Sequence, residues 1–410
     1  MTAAGQIDAD HVLADLRELA RRTSDDRGSQ RVAWTQTWHD ARAFLGELLD
    51  EIGAVSETDQ AGNLWARLDG DANGESVAVG SHIDSVPDGG WLDGALGLMA
   101  AVGALRSHAS APSGGKPLVL VDWADEEGSR FGYSLFGSSA FAGRLDAEAA
   151  AKLRDADGRT MREVLAESDV DVSRAPDCSA RRAGLAAYLE LHIEQGPVLE
   201  AEGATVAAVE GCQGIERVRF TFTGQAAHAG TTPMAMRRDA GLAAAACALR
   251  VAELPGGLGG VATTGELRLE PGISTAVPGG AQLACDLRNP DAASLQAMLD
   301  AARSSAAECA ADHGCEVSEE EIFRIAPTTF DPELVDAAAR ACEEKAGQEF
   351  RLQSGALHDA ASVSRVMPAA MMFCPSRDGI SHAKEEDTSE EDLKVAIEAF
   401  GALVAGVLVQ

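Results

Sequence analysis

The chain has few positive charges, few aromatic residues and no long apolar run. Its 410 residues include five lysines and 29 arginines against 65 acidic residues, which gives a net charge of −31, and only 4% are aromatic. Nucleic acids and anionic membrane surfaces attract basic proteins, so we expect neither as a partner. No run of eighteen apolar residues occurs, and the sequence therefore predicts no segment that crosses a membrane.

The sequence also shows no pattern typical of a secreted protein. Residues 1–23 carry acidic residues early and no apolar segment of the kind that signal peptides contain. The eight cysteines form no closely spaced pair, which is typical of small buried residues in a reducing compartment. We therefore expect a cytoplasmic protein.

The excess of acid with scarce lysine has two interpretations. Clustered surface carboxylates keep a protein hydrated at high salt, so the composition is typical of a halophilic surface. An ordinary acidic enzyme from an arginine- and alanine-rich source would have the same composition. The sequence leaves both interpretations open.

Apolar periodicity indicates an α/β fold. Buried strands are predicted over 76–80, 117–122 and 188–193, and amphipathic or small-residue helices lie between them. Such an alternation favours an open sheet with helices on its faces.

The pattern changes near residue 211 and returns near residue 326, which predicts an insertion. The intervening segment has the order β-α-β-β-α-β. We therefore predict a catalytic domain over 1–210 and 326–410, with a central mixed sheet flanked by helices. A smaller ferredoxin-like α+β domain over 211–325 is inserted into it.

Five side chains of metal-binding type follow predicted strands or lie in loops rich in small residues. They are His82, Asp93, His192, His382 and one of the adjacent glutamates Glu126 and Glu127. Imidazole nitrogens and carboxylate oxygens suit zinc, manganese, cobalt or nickel, and no thiolate is in the set. Ligands at the carboxyl ends of strands are the expected placement in an open α/β sheet. The pattern predicts two divalent cations.

Glu126 and Glu127 are adjacent, and only one of them is needed as a ligand. Hydrolysis by a cation-activated water needs a base beside the water, so a second glutamate next to a ligand glutamate indicates a hydrolase.

Each of these residues has an ordinary interpretation when it is considered alone. Asp93 precedes Gly94 and a predicted helix, where an aspartate is a common N-cap. Glu126 and Glu127 match a solvated acidic turn, and His82 matches a strand-end histidine whose neighbour Asp84 fixes its tautomer. The joint pattern favours the metal site.

Three further residues are candidates with open alternatives. His358 is either part of the site's surroundings or a structural, hydrogen-bonded buried histidine. His228 lies in a tight Gly-Thr-Thr-Pro turn and could polarise a substrate carbonyl oxygen. Arg288, at the end of a predicted strand, could clamp a carboxylate through two hydrogen bonds or form a surface salt bridge.

With these residues in place, the chain resembles the dinuclear metal amidohydrolases of the aminoacylase/carboxypeptidase clan. Within that clan it is most similar to N-carbamoyl-L-amino-acid amidohydrolases (L-carbamoylases), allantoate amidohydrolases and β-ureidopropionases. The runs Leu-His-Ile-Glu-Gln-Gly-Pro and His-Ala-Gly-Thr-Thr-Pro-Met are specific to this subfamily. The matching segments are 80–97, 126–131, 190–200, 224–240 and 376–382.

The resemblance implies a role for each candidate. His82 and His192 would hold one cation, Glu127 and His382 the other, and Asp93 would bridge the two. Zinc is the first expectation for both, with manganese, cobalt or nickel as alternatives.

The resemblance also implies the catalytic and substrate-binding residues. Glu126 would be the general base, and His228 would stabilise the oxyanion from the partner subunit of a homodimer formed through the inserted domain. Gln195 and Arg288 would orient the substrate, with Arg288 on its carboxylate.

Two positions depart from the family pattern and leave the substrate open. Thr275 stands where the family usually has an asparagine among the substrate-binding residues, and Leu357 stands where a glycine usually precedes the His-Asp pair. We therefore expect hydrolysis of a C–N bond in an N-carbamoyl amino acid or related ureido acid, with allantoate or β-ureidopropionate as alternative substrates. An aminoacylase, a dipeptidase or a catalytically silent ureido-acid-binding protein are further alternatives, and the intact base argues against the last.

The two interpretations of the acidic composition predict different responses to salt. If the surface is adapted to high salt, the melting temperature should rise from low to molar salt, because repulsion is then screened over about 3 Å. Thermal melting in a sodium chloride series measures this. A melting temperature that does not change with salt would favour compositional bias.

Overall fold

The computed structural model describes residues 6–68, 75–110 and 115–409. The outermost residues of the predicted catalytic domain, 1–5 and 410, lie outside this range.

The strands, β1 to β17 in chain order, are Ser24–Asp25, Gly28–Ser29, Ala54–Thr58, Leu64–Leu68, Ser76–His82, Leu118–Trp123, Leu185–Ile193, Ala207–Cys212, Gly214–Thr223, Ala227–His228, Val261–Glu270, Ala276–Val277, Gly280–Asn289, Glu316–Ile325, Thr328–Thr329, Arg351–Ser354 and Ala369–Cys374. The α-helices, α1 to α13, are Ala9–Thr23, Gln36–Ile52, Ala95–Ser110, Phe136–Phe141, Ala147–Ala150, Met161–Ala166, Val198–Glu202, Ala240–Glu253, Pro255–Leu258, Ala292–Asp312, Pro332–Ala346, Asp359–Val363 and Glu390–Leu408. Short 3₁₀ segments span Val172–Gly184, Met234–Met236 and Arg377–Gly379.

The chain divides into two compact units. Unit 1 comprises Met1–Gly211 and Thr329–Gln410, and unit 2 comprises Cys212–Thr328.

Unit 1 is built on a mixed sheet, which confirms the predicted α/β class. Its strands run in the order β8-β17-β7-β5-β6-β4-β3, with β15 and β16 beside β8. Strands β17, β7, β5 and β6 are mutually parallel, and β8, β4 and β3 pair antiparallel with their neighbours. Every residue of β5 and β6 is buried, which is typical of parallel strands covered on both faces.

The outer hairpin β3–β4 was not predicted from the sequence. Strand β3 has four exposed residues out of five, so its apolar alternation is weak. It follows helix α2, which begins after the Thr35 N-cap and ends at Gly53 in the left-handed conformation, with φ 75°.

Unit 2 is an antiparallel four-stranded sheet with two helices. The sheet order is β11-β13-β9-β14, so the sequence β-α-β-β-α-β gives the spatial order 4-1-3-2. Helices α8 and α10 share one core with the sheet, and that core includes Phe220, Leu283, Cys247 and Met298. Strand β14 is the last strand of the predicted unit, but eight of its ten residues are exposed, so no apolar alternation defined its bounds in the sequence.

One segment of unit 2, Ala240–Leu258, meets by length and composition the requirements of a membrane-crossing helix, with a mean hydropathy of 1.2. Its Ala243, Cys247 and Val251 are fully buried in the core of unit 2. A core helix of this kind meets the same requirements, so the finding is weak evidence of a membrane segment.

Close packing of α3 brings two predicted ligand strands together. A Cβ on Gly97 would lie 2.0 Å from the carbonyl oxygen of Leu191 and 3.0 Å from Cβ of Ser81. These neighbours precede His192 and His82 directly. The helix can approach the ends of β5 and β7 only because residue 97 has no side chain.

We expect Gly97→Ala to lower the free energy of unfolding by about 1–3 kcal/mol, because the added methyl group overpacks a backbone contact. Urea denaturation of the metal-free protein measures this. The control is Gly46→Ala in α2, where a Cβ meets nothing within 4 Å and helix propensity predicts a gain of about 0.5–1 kcal/mol. Equal stability of the two variants would contradict the packing argument.

Candidate metal centre and active site

Two groups of side chains in unit 1 have their potential ligand atoms within 4.8 Å of one another. The first is His82, Asp93 and His192, and the second is Asp93, Glu127 and His382. Asp93 belongs to both, so the structure brings all five predicted ligands into one site.

The two carboxylate oxygens of Asp93 face different partners. Its Oδ1 lies 3.1 Å from Nε2 of His192 and 3.7 Å from Nε2 of His82. Its Oδ2 lies 3.2 Å from Nε2 of His382, which is itself 3.5 Å from Oε2 of Glu127. One side chain therefore divides the site into two adjoining positions.

The sheet places these residues at one edge. His82 is the last residue of β5, and His192 lies at the end of β7, its parallel neighbour. Glu127 follows the end of β6, on the other side of β5. The carboxyl ends of parallel strands meet at one edge, and the site lies there.

Backbone carbonyl groups orient two of the imidazole rings. Nδ1 of His82 lies 3.1 Å from the carbonyl oxygen of Asp84, and Nδ1 of His192 lies 2.9 Å from that of Ile193. Donation from Nδ1 leaves Nε2 of each ring as the free ligand nitrogen.

The Asp84 carboxylate has a different contact from the one predicted. It lies 3.7 Å from Nδ1 of His82 and accepts hydrogen bonds from the backbone N–H groups of Glu126, at 3.3 Å, and Glu127, at 3.2 Å. Asp84 therefore fixes the backbone of the acidic pair, while its carbonyl group orients the histidine.

The ionisation of the site reflects its burial and its acidity. Burial lowers the pKa of His82 to about 4. Burial also raises the pKa of Asp93, but contacts with His192 and His382 outweigh this effect and hold the pKa well below its usual range. The hydrogen bond to Asp93 raises the pKa of His382 to about 9. The Asp93 carboxylate thus stays ionised and attracts positive charge.

Glu126 is buried beside the first position. Its Oε2 lies 4.0 Å from Nε2 of His82. Burial, reinforced by the neighbouring carboxylates of Asp359 and Glu127, raises the pKa of Glu126 well above its usual range. A carboxylate with raised proton affinity next to a ligand nitrogen has the placement of a general base.

The residues present fit divalent cations. Oε1 of Glu127 and Oε1 of Gln195 are buried atoms without a hydrogen-bond partner. Buried polar atoms normally have partners, so atoms that lack them in one cluster indicate a missing ligand. Imidazole and carboxylate donors suit zinc or a similar cation.

Gln195 lies within the site. Its Nε2 donates to Oδ2 of Asp93 at 2.9 Å and lies 3.1 Å from Nε2 of His382. The residue has a φ of 58°, a conformation that non-glycine residues adopt infrequently.

His358 packs against a candidate ligand. It is fully buried, its ring centroid lies 4.4 Å from that of His192, and its Nε2 lies 3.0 Å from Oγ of Ser354. Burial lowers its pKa well below the usual value. The ring is therefore neutral and supports His192 by packing.

The remaining predicted residues, His228, Thr275 and Arg288, lie in unit 2. His228 pairs with Ala276 between β10 and β12, and the backbone N–H of Ala229 donates to the carbonyl group of Thr275 at 3.0 Å. The structure therefore brings His228 and Thr275 together.

His228 is held in one tautomer. Its Nδ1 accepts hydrogen bonds from the backbone N–H groups of Gly230, at 3.1 Å, and Thr231, at 3.2 Å. An accepting Nδ1 leaves Nε2–H as a donor. Arg288 instead donates to both oxygens of Asp286, at 2.7 and 3.3 Å, so it already pairs with a carboxylate of its own unit.

Two residues around the site had no recognisable sequence signal. Arg31 is fully buried, and its Nε donates to the carbonyl group of Ile83 at 2.7 Å. Glu386 accepts hydrogen bonds from the backbone N–H groups of Leu92 and Asp93. Both residues contact backbone groups that are distant in the sequence. The one available signal was that Glu386 lies four residues after His382.

The fold and this site define an α/β protein with a candidate site for divalent cations. Residues 78–406 match peptidase family M20/M25/M40. The chain belongs to this family, which confirms the resemblance inferred from its motifs.

Several relatives match over nearly their full length. The chain is 35% identical to the N-carbamoyl-L-amino acid amidohydrolase of Geobacillus stearothermophilus, covering 95% of each chain. It is 34% identical to the allantoate amidohydrolase of Bacillus subtilis (strain 168), covering 93% of each. The crystal structure of a hydantoinase/carbamoylase family amidase from Burkholderia multivorans matches with a TM-score of 0.88 and 36% identity, covering 98% of each chain.

Proposed function

We propose that the protein is a metal-dependent amidohydrolase that cleaves a C–N bond in an N-carbamoyl amino acid or a related ureido acid. The observation that carries this proposal is the division of the site by Asp93, with Glu126 beside one of the two positions. The similarity to relatives named as amidohydrolases of N-carbamoyl-L-amino acids and of allantoate supports the substrate class.

Two divalent cations are the proposed cofactors, with zinc first and manganese, cobalt or nickel as alternatives. His82 and His192 would hold one, Glu127 and His382 the other, and Asp93 both. Bound cations would polarise the substrate carbonyl group and lower the pKa of a water molecule.

Glu126 is the proposed general base. It takes a proton from the attacking water and returns the proton to the leaving nitrogen. Its burial and the carboxylates around it support this role, because both raise its affinity for a proton.

Substrate orientation is assigned to Gln195, Thr275 and Arg288, and oxyanion stabilisation to His228. The donor Nε2–H of His228 supports its role, since an oxyanion needs a hydrogen-bond donor. Arg288 would have to exchange its pairing with Asp286 for a substrate carboxylate. These roles stay predictions from the resemblance.

A homodimer formed through unit 2 is also proposed. Strand β11 is an edge strand with exposed Leu267 and Leu269, and Leu249 of α8 is 72% exposed. An exposed edge strand with apolar side chains is typical of an association surface.

A cytoplasmic location is supported by the cysteines, since all eight are free thiols.

We expect the purified protein to bind two divalent cations per chain. His192→Ala and His382→Ala should each leave about one, because each removes a ligand from one position, and Asp93→Ala should retain neither. Elemental analysis after gel filtration measures the stoichiometry. The control is His39→Ala, which changes a histidine of α2 that contacts Ser168. Two cations retained in Asp93→Ala would contradict the bridging role.

The substrate class is tested with a panel of N-carbamoyl amino acids, allantoate, ureidopropionate and N-acetyl amino acids, with zinc, manganese or cobalt added. We expect turnover of at least one ureido acid, and a loss of at least about 100-fold in Glu126→Gln with cation content unchanged, because the amide cannot accept the proton. Turnover confined to N-acetyl substrates would favour an aminoacylase. Normal turnover by Glu126→Gln would exclude it as the base.

A further inference from the structure

One buried carboxylate joins the two loops that carry Asp93 and His382. Glu386 is 2% exposed. Its Oε1 accepts hydrogen bonds from the backbone N–H groups of Leu92, at 3.1 Å, and Asp93, at 3.0 Å. Its Oε2 accepts a hydrogen bond from Oγ of Ser381 at 3.0 Å.

Gly90 makes room for this carboxylate. A Cβ at position 90 would lie 2.1 Å from Oε1 of Glu386. A side chain at this position would therefore force Glu386 away from the loop. The Glu386 carboxylate can therefore reach this loop only because residue 90 is a glycine.

The hydrogen bonds converge on the shared ligand. Oγ of Ser381 lies 3.3 Å from Oδ2 of Asp93, and Nε2 of Gln195 donates to the same oxygen. Glu386 thus fixes the backbone of Asp93 and, through Ser381, a group beside the oxygen that faces His382.

An ionised carboxylate in this place costs free energy of folding. Burial of a charge near the like charge of Asp93 is unfavourable. Arg31 offsets part of this cost. Burial lowers the pKa of Arg31 to about 10, and among the carboxylates that oppose this lowering Glu386 comes first. An apolar residue would fill the space without this cost but could not accept three hydrogen bonds.

We propose that Glu386 is a positioning residue that orients Asp93 towards two cations. It is required above all for binding of the cation that Glu127 and His382 would hold. That cation site depends on both loops that Glu386 joins. The cation site of His82 and His192 depends on only one of the two loops. This inference rests on the proposed metal centre.

The test separates the two positions. The His382→Ala protein keeps only the cation site of His82 and His192. The His192→Ala protein keeps only the cation site of Glu127 and His382. Adding Glu386→Ala to the His192→Ala protein should weaken zinc binding by at least about 10-fold, in line with other residues that orient ligands. Adding it to the His382→Ala protein should weaken zinc binding by less than about 3-fold. Calorimetric titration of the metal-free proteins with zinc measures both.

The controls separate geometry from charge and from folding. Glu386→Gln keeps an oxygen that can accept from Leu92 and Asp93, so zinc affinity should stay near wild type. Glu385→Ala removes the same charge from the exposed neighbouring residue and should have no effect. Should Glu386→Ala fail to fold, Gly90→Ala displaces Glu386 by another route and should show the same preference for one position.

Three results would overturn the inference. They are equal losses at both positions, an equal loss in Glu386→Gln, and unchanged zinc affinity with only a lower melting temperature of the metal-free protein. Failure of the wild-type chain to bind any divalent cation would instead overturn the proposed metal centre.

Discussion

The orientation of the Asp93 carboxylate is the constraint on which the rest of the site depends. A carboxylate can serve two cations only if its oxygens point to different sides, and here Oδ1 faces His192 while Oδ2 faces His382. Free rotation about the side-chain bonds would destroy this division. The surrounding hydrogen bonds prevent it, because Gln195 donates to Oδ2 and Glu386 accepts from the backbone N–H of Asp93. The chemistry at this edge of the sheet therefore depends on hydrogen bonds that do not themselves involve a reacting atom.

Packing brings the partners of Asp93 within reach. Gly94 has a φ of 64°, and a Cβ there would lie 2.4 Å from the His82 ring. Gly97, one turn later, allows α3 to contact the carbonyl group of Leu191 beside His192. The helix that follows Asp93 is thus seated directly on the strands that carry two histidines. Two glycines thus allow the close packing that brings the candidate ligands together.

The sequence predicted most features that arise from local patterns and few that depend on distant backbone groups. The buried strand ending at His82 has a short apolar run over 77–79, so both the strand and its candidate ligand could be recognised. The bounds of strand β14 could not be predicted, because eight of its ten residues are exposed and its pairing with β9 is set by tertiary structure. The contact of Asp84 with the backbone of Glu126 depends on neighbouring strands meeting at one edge. No spacing rule encodes such a contact.

The charge of the site links its stability to its proposed chemistry. Asp84, Asp93 and Glu126 are buried close together, and uncompensated carboxylates at this depth disfavour the folded state. Arg31 interacts favourably with Asp84 and Asp93, and Arg42 with Asp84, yet the pKa of Glu126 stays well above its usual range. A cation that binds the native chain and not the unfolded one stabilises the fold by mass action. Cations bound at these carboxylates would thus stabilise the folded state as well as supply the proposed chemistry.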